Sequence, residues 1–485
     1  MNVLVVLASY GHTNDQYLAR VLEEYRSMRY DLDIVVISNI AKDLGADVEV
    51  AVGLPTKNPY SLPFAHKKIF AERVDRYDLF IYSEDDILIT ERNVDFFLAA
   101  TSVLPTGEVS GFLHAETDPD GNLYFDPPHA NFHWDPSSVE QRGKYTFAFF
   151  TNVHAACFIL TQTQLRQAIA TGGFLVEPHE GKYELRETAA TDPYTQCGLK
   201  KMVCISHLEQ FTVRHLPANK LAVRPYRARA EFHCQIKALL SLEQTKHSRT
   251  LLFEPETRVL HRKWSKDYYE PVKTEMLSFI PNRARNVLSI GCGWGATEGF
   301  LVKRGVRVVG VPIDSVIAAC AESRGVEIVY GGFDTAWPKL REQKFDCILL
   351  SNVLHLVPDP LALLSSCSRL LSRDGIVVAA VPNFAQVTTR WRRLKRKEPY
   401  KSLGDYGKSG IHVTTPRLVR RWFHQAGLIA VCCSYVVPEK GKLARRLSFG
   451  MADSLLAEEL ICVGSSQRVI EVALAVEKRT DAVLA

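Results

Sequence analysis

Residues 286–298 read Asn-Val-Leu-Ser-Ile-Gly-Cys-Gly-Trp-Gly-Ala-Thr-Glu. Val287 to Ile290 form a short apolar run of the kind a buried strand uses. Gly291, Gly293 and Gly295 follow at alternate positions, and Ala296 to Val302 has the composition of a helix. Such a turn carries no side chain that blocks the approach of a ligand to the backbone amides of the helix N-terminus. A tight structural turn has the same spacing. The flanking strand and helix, with a second strand close behind at Arg307 to Ile313, point to a nucleotide-like ligand.

Working outward, Glu327 to Tyr330, Phe345 to Ser351 and Gly375 to Val381 read as further parallel strands. Helical stretches at Ser315–Arg324 and Pro360–Leu371 separate or follow them. The succession VLSIGCGWG, FDCILLSNVLHLVPDP and RDGIVVAAVPN strongly resembles the class I, Rossmann-like S-adenosylmethionine-dependent methyltransferases over about residues 266–465. That resemblance implies a seven-stranded α/β domain. It implies cofactor contacts from Gly291, Cys292, Gly293 and Gly295, and from Ser351 and Asn352 after the fourth strand. Acidic residues usual in the family are replaced by Ser289, Pro312 and Gly332, with Asp314 and Asp334 as substitutes nearby. Methyl transfer to a hydroxyl calls for an aligned nucleophile and a base, and His355 and His412 are the candidates. Tyr400, Tyr406 and His412 sit in a segment similar to the substrate-side insertion of methyltransferases that modify sugars.

The N-terminal half alternates in the same way. Val3–Ala8, Leu32–Ser38 and Asp78–Tyr82 read as strands; Tyr17–Met28 and Phe64–Arg73 read as helices. Continuous rather than alternating apolar strands imply a largely parallel sheet. The third strand runs into Ser83-Glu84-Asp85-Asp86. Three consecutive carboxylates suit either a solvated acidic turn or a site where Mg²⁺ or Mn²⁺ meets a phosphate. The stretch DLFIYSEDDILI, with the N-terminal strand, resembles the nucleotide-sugar-binding half of GT-A-type glycosyltransferases over residues 1–220. The resemblance makes Glu84, Asp85 and Asp86 a DxD-like motif that holds a divalent cation against a nucleotide-sugar donor. Ser9, Tyr10 and Gly11 then lie near the nucleotide. A late histidine, His215 with His207 competing, becomes a further metal ligand, and Asp192 or Glu187 the base. Gly111 to Trp134, rich in His, Asp, Pro and aromatics, reads as a loop region for an acceptor.

Residues 221–265 carry no Gly/Ser tether and read as a packed connector, with a helix at Phe232–Leu242. Lys266 to Phe279 reads as the helix entering the second domain, residues 266–485. The 485 residues are comfortable for two domains, and a formal charge of +5 argues against nucleic acid as a partner. Eleven scattered cysteines predict free thiols in a reducing cytoplasm. No apolar run reaches membrane-spanning length. Six basic residues in Arg390–Lys397 read as a solvated insertion or as a lip for anionic partners, such as lipid-linked glycan head groups or the inner membrane surface.

The expectation for the whole chain is two Rossmann-like α/β domains in a bifunctional glycosyltransferase/methyltransferase acting on a glycan, such as a bacterial surface polysaccharide. One rival is a methyltransferase whose N-terminal half only binds a glycan or nucleotide sugar. Another is a non-enzymatic scaffold of two degenerate domains.

Overall fold

The structure, a computed structural model, describes residues 1–125, 131–217, 227–244, 251–395, 398–438 and 452–466. The expected peripheral tail at 470–485, and Arg396 and Lys397 of the basic run, lie outside them. The chain divides into two units, Met1–Lys246 and His247–Ala485.

In the first unit, β1 (Asn2–Ser9), β2 (Asp31–Ser38), β3 (Val48–Val52) and β4 (Leu79–Glu84) are parallel. Val3 to Leu7 are wholly buried, because a parallel strand is covered on both faces. The short β5 (Ile87–Leu88), β6 (Glu108–Ser110), β7 (Leu113–Thr117), β8 (Leu123–Phe125), β9 (Glu140–Arg142) and β10 (Tyr145–Ala148) follow. Then come β11 (Cys157–Thr161), β12 (Lys200–Cys204), β13 (Thr212–His215) and β14 (Arg227–Ala228). They form three sheets, ordered β11-β4-β1-β2-β3, β6-β12-β10-β9 and β14-β8-β7-β13-β5. The segment Gly111–Trp134 is therefore not simply a loop. It supplies β7 and β8, and Trp134 is buried. Strand β13 pairs with both β5 and β7, which carries His215 to the turn after β4.

The described residues of the second unit form a seven-stranded sheet. Its strands are β15 (Asn286–Cys292), β16 (Arg307–Pro312), β17 (Glu327–Ile328), β18 (Phe345–Ser351), β19 (Leu371–Pro382), β20 (Ile429–Val436) and β21 (Glu459–Ser465). The order is β17-β16-β15-β18-β19-β21-β20, with the first five parallel and β21 antiparallel to both neighbours. Strand order reverses between β15 and β18, where a doubly wound sheet opens its ligand crevice. Local chemistry fixes the helices between strands. Pro360 opens the helix Pro360–Leu370 and Asp359 caps it through Ala362 N.

Only Thr274–Leu277 of the expected helix Lys266–Phe279 is helical. Pro271 cannot donate an amide to a helix and biases Glu270 towards extended backbone, so residues 266–273 form a strap instead. No disulfide joins any of the cysteines, and no helix among the described residues is long and apolar enough to cross a membrane.

Candidate active site

The glycine turn leaves β15 at the reversal point. Gly291 and Gly295 have φ of 71° and 80°, where a side chain is strained. Gly293 is needed for a different reason. A Cβ there would lie 2.3 Å from the Tyr268 carbonyl oxygen of the strap. The strap is pinned to the turn: Trp294 N donates to Tyr268 O at 2.9 Å, and Trp294 Nε1 to Glu270 O at 2.7 Å. Between strap and turn remains a cavity of about 20 Å³, room for one water.

Glu270 is the hub. It takes an ion pair from Lys266 at 2.7 Å, a hydrogen bond from Ser351 Oγ at 2.8 Å and one from Asn352 Nδ2 at 3.0 Å. Burial alone would raise its pKa, but Lys266 and Lys273 outweigh burial and hold it below the ordinary carboxylate value. Asn352, at φ 51°, also donates to Glu459 Oε1 at 2.9 Å. Asparagine tolerates that left-handed backbone better than most residues.

Beyond this network opens a cavity of about 840 Å³, bordered by Glu270, Asn352, His355, Asn383, Tyr400 and Glu459 among others. His355 is buried, and burial pushes its pKa down to about 4, so the ring is neutral at pH 7. Its Nε2–H donates to Trp264 O at 2.9 Å, which leaves Nδ1 as an acceptor with no partner among the described residues. His412 does not border the cavity. Its Nε2 meets Val357 O at 3.1 Å, and its ring stacks on Tyr406 at 4.4 Å.

The acidic substitutes are placed unequally. Asp314 Oδ1 accepts from Val316 N and Ile317 N, both at 2.8 Å, so that oxygen caps a helix and is not turned to a ribose. Asp334 is exposed in the first turn of the helix Phe333–Leu340. Cys292 is buried, and burial raises its thiol pKa. Glu298, absent from the sequence expectations, is buried and accepts from Ser289 Oγ at 2.6 Å. Burial raises its pKa and the Ser289 bond opposes that. An acid in the first helical turn after a strand that lacks the usual one was the available signal. Glu270 had none beyond Lys266 four residues earlier.

By their donor chemistry, though not by the 20 Å³ now open beside the turn, these residues match a nucleoside sulfonium. Gly295 gives the helix Ala296–Lys303 no side-chain cap, and Ser351 and Asn352 stand at the end of the adjoining strand.

In the first unit, Asp86 Oδ2 lies 3.3 Å from His215 Nε2, and His215 Nδ1 lies 2.8 Å from Glu116 Oε1. Asn14 Nδ2 donates to Asp85 Oδ1 at 2.8 Å and to Asp86 Oδ2 at 3.2 Å. Burial raises Asp85 to about 6, against hydrogen bonds from Ser9 and Asn14. Asn14 and Glu116 were not foreseen from sequence. His207 is elsewhere, on Ser206 Oγ at 2.9 Å. Glu84 faces Arg186 electrostatically, and Glu187 is the next residue. Asp192 is wholly buried against Lys67, with Thr195 Oγ1 at 3.3 Å, so it is not freely available as a base. Tyr10 is exposed. Among the described residues no group of three or more His, Cys, Asp or Glu converges closely enough to hold a metal ion. The pair Asp86–His215 therefore meets the donor requirement of a hard cation only in part.

The fold, the glycine turn and the cavity define a class of protein, and comparison with known families agrees. Residues 261–432 match a family described as "Methyltransferase domain". The C-terminal region is a class I, S-adenosylmethionine-dependent methyltransferase domain. A ubiquinone biosynthesis O-methyltransferase of Actinobacillus pleuropneumoniae is 33% identical over 122 residues, 22% of this chain and 52% of that protein. One of Histophilus somni is 26% identical over 211 residues, 38% of this chain and 87% of that protein. The chain thus spans about half the length of the Actinobacillus relative. A solved S-adenosylmethionine-dependent methyltransferase of Mesorhizobium loti is 20% identical, covering 39% of this chain and 95% of its own, with a TM-score of 0.30.

Proposed function

We propose that the second unit transfers a methyl group from S-adenosylmethionine to a hydroxyl of an acceptor held in the 840 Å³ cavity. One observation carries the reading: Glu270, Ser351 and Asn352 form a single hydrogen-bonded wall between the glycine turn and that cavity. The cofactor supplies an electrophilic methyl when bound. The chain supplies everything else. Gly291 to Gly295 and Ser351 would hold the cofactor, with Lys266 and Glu270 as the polar floor. Neutral His355 would take the acceptor's proton once its Nδ1, buried in this structure, meets the acceptor, and its Nε2–H bond to Trp264 fixes the tautomer that leaves Nδ1 able to accept. Calorimetry of the full chain with S-adenosylmethionine tests the reading, and absence of heat would overturn it.

The relatives act in ubiquinone biosynthesis by name, which supports an O-directed transfer. In this reading the first unit is a binding module for a glycan or nucleotide sugar, and a glycan or lipid-linked glycan is the acceptor.

A second reading, sugar transfer by the first unit, is favoured by Asp86 standing 3.3 Å from His215. With Glu116 on Nδ1, His215 presents Nε2 beside a carboxylate, the arrangement in which a histidine ligates a divalent cation. Release of nucleoside diphosphate from nucleotide sugars with Mn²⁺, lost in Asp86→Asn, tests it. A wild-type chain that releases none refutes transfer and leaves the binding module.

A further inference from the structure

One surface of the second unit is unusual. The helix Val387–Leu394 presents Val387, Trp391 and Leu394 to solvent at 50%, 53% and 82% exposure. Their spacing of four and three residues puts them on one face. Arg390 and Arg393 flank them, and Lys395 Nζ lies 3.6 Å from the Trp391 ring centroid. No Asp or Glu occurs between Gly375 and Lys397. The opposite side is fixed to the domain: Thr389 is buried and Arg392 Nη1 donates to Tyr400 Oη at 2.9 Å.

Val387, Thr388, Thr389 and Arg392 also border the 840 Å³ cavity. Leu455, 38% exposed, extends the apolar rim from a separate segment and borders it too. An exposed Trp–Leu ridge with basic flanks is the composition of a helix lying in a lipid head-group region. Eight residues make a helix of only about 12 Å, enough to lie on a bilayer and too short to cross it.

We infer that this helix seats the cavity mouth on an anionic lipid surface, and that the acceptor is a lipid-borne molecule drawn from it. The acceptor half rests on the methyl-transfer reading; the membrane half does not.

The test is co-sedimentation of the full chain with phosphatidylcholine vesicles, with and without phosphatidylglycerol. Binding that requires phosphatidylglycerol is expected. The double variant Trp391→Ala/Leu394→Ala should weaken it about tenfold or more. Arg390→Glu/Arg393→Glu should remove the preference for the anionic lipid. Both variants should keep the wild-type melting temperature and S-adenosylmethionine heat, which separates lost docking from lost fold. Equal binding by the Trp391/Leu394 variant, or no lipid preference in wild type, overturns the inference. So does retention on heparin without vesicle binding, which marks a plain polyanion site. If S-adenosylmethionine gives no heat to any of the proteins, methyl transfer falls and the vesicle result stands separately.

Discussion

Ser289 Oγ, on the central strand, donates to Glu298 Oε1, in the first turn of the next helix, at 2.6 Å. The resemblance leads one to expect an acid on the strand. Here serine stands on the strand and the carboxylate comes from the helix, into the same buried space.

Replacing Ser289 with Asp should therefore set two buried carboxylates against each other. The variant is expected to lose about 3 kcal/mol at pH 7 by chemical denaturation, and Glu298→Gln in the same chain should recover most of it. An unchanged Ser289→Asp variant would show that the two positions do not share a space.

Glu298 also sets a pH dependence. Its folded pKa is raised, so its contribution is full below the ordinary carboxylate pKa and is lost as pH rises through the raised value. Wild type should lose stability relative to Glu298→Gln across that window, read from denaturation midpoints at stepped pH.

Glu270 has the opposite sign. Its pKa is depressed, so its contribution is present above the ordinary value and lost as pH falls through the lower one. Glu270→Ala leaves buried Lys266 without its carboxylate and should cost about 3–5 kcal/mol at pH 7. S-adenosylmethionine heat should vanish with it. Glu270→Gln, which keeps the shape, should be the milder change.

His355→Gln is expected to lower kcat by about 10²-fold or more if Nδ1 is the base, with the melting temperature little changed. Because burial pushes the ring's pKa down to about 4, its ionisation should add no inflection to the rate profile between pH 6 and 8. His412→Gln, outside the cavity, should keep kcat within a few-fold and lower stability instead.

Gly293→Ala places a methyl 2.3 Å from the Tyr268 carbonyl. It should displace the strap and weaken S-adenosylmethionine binding more than it lowers the melting temperature, as calorimetry and thermal scanning can compare.

The seven-stranded domain was legible from the chain because a buried parallel sheet needs continuous apolar strands and the turn at Gly291–Gly295 needs glycine backbone. Those demands are local and leave a local mark. The same holds for the acidic turn at Glu84–Asp86, whereas the basic run Arg390–Lys397 was legible as charge and not as the helix Val387–Leu394. What no local pattern carried was the choice of partner. Asp314 reads as a ribose candidate in sequence, and only the fold shows that the amides of Val316 and Ile317 take its Oδ1 for a helix cap. Of two competing histidines, strand pairing β13 with β5 sets His215, not His207, beside Asp86. Lys266–Phe279 had helical composition, yet Pro271 and the docking of Tyr268 on Gly293 made most of it a strap. Glu270 gathers Lys266, Ser351 and Asn352 from positions up to 82 residues away, and Glu298 replaces an acid nine residues back. Backbone conformation is dictated by neighbours in sequence. Buried charge must be satisfied by whatever the fold brings within 3 Å, and only the tertiary structure decides that.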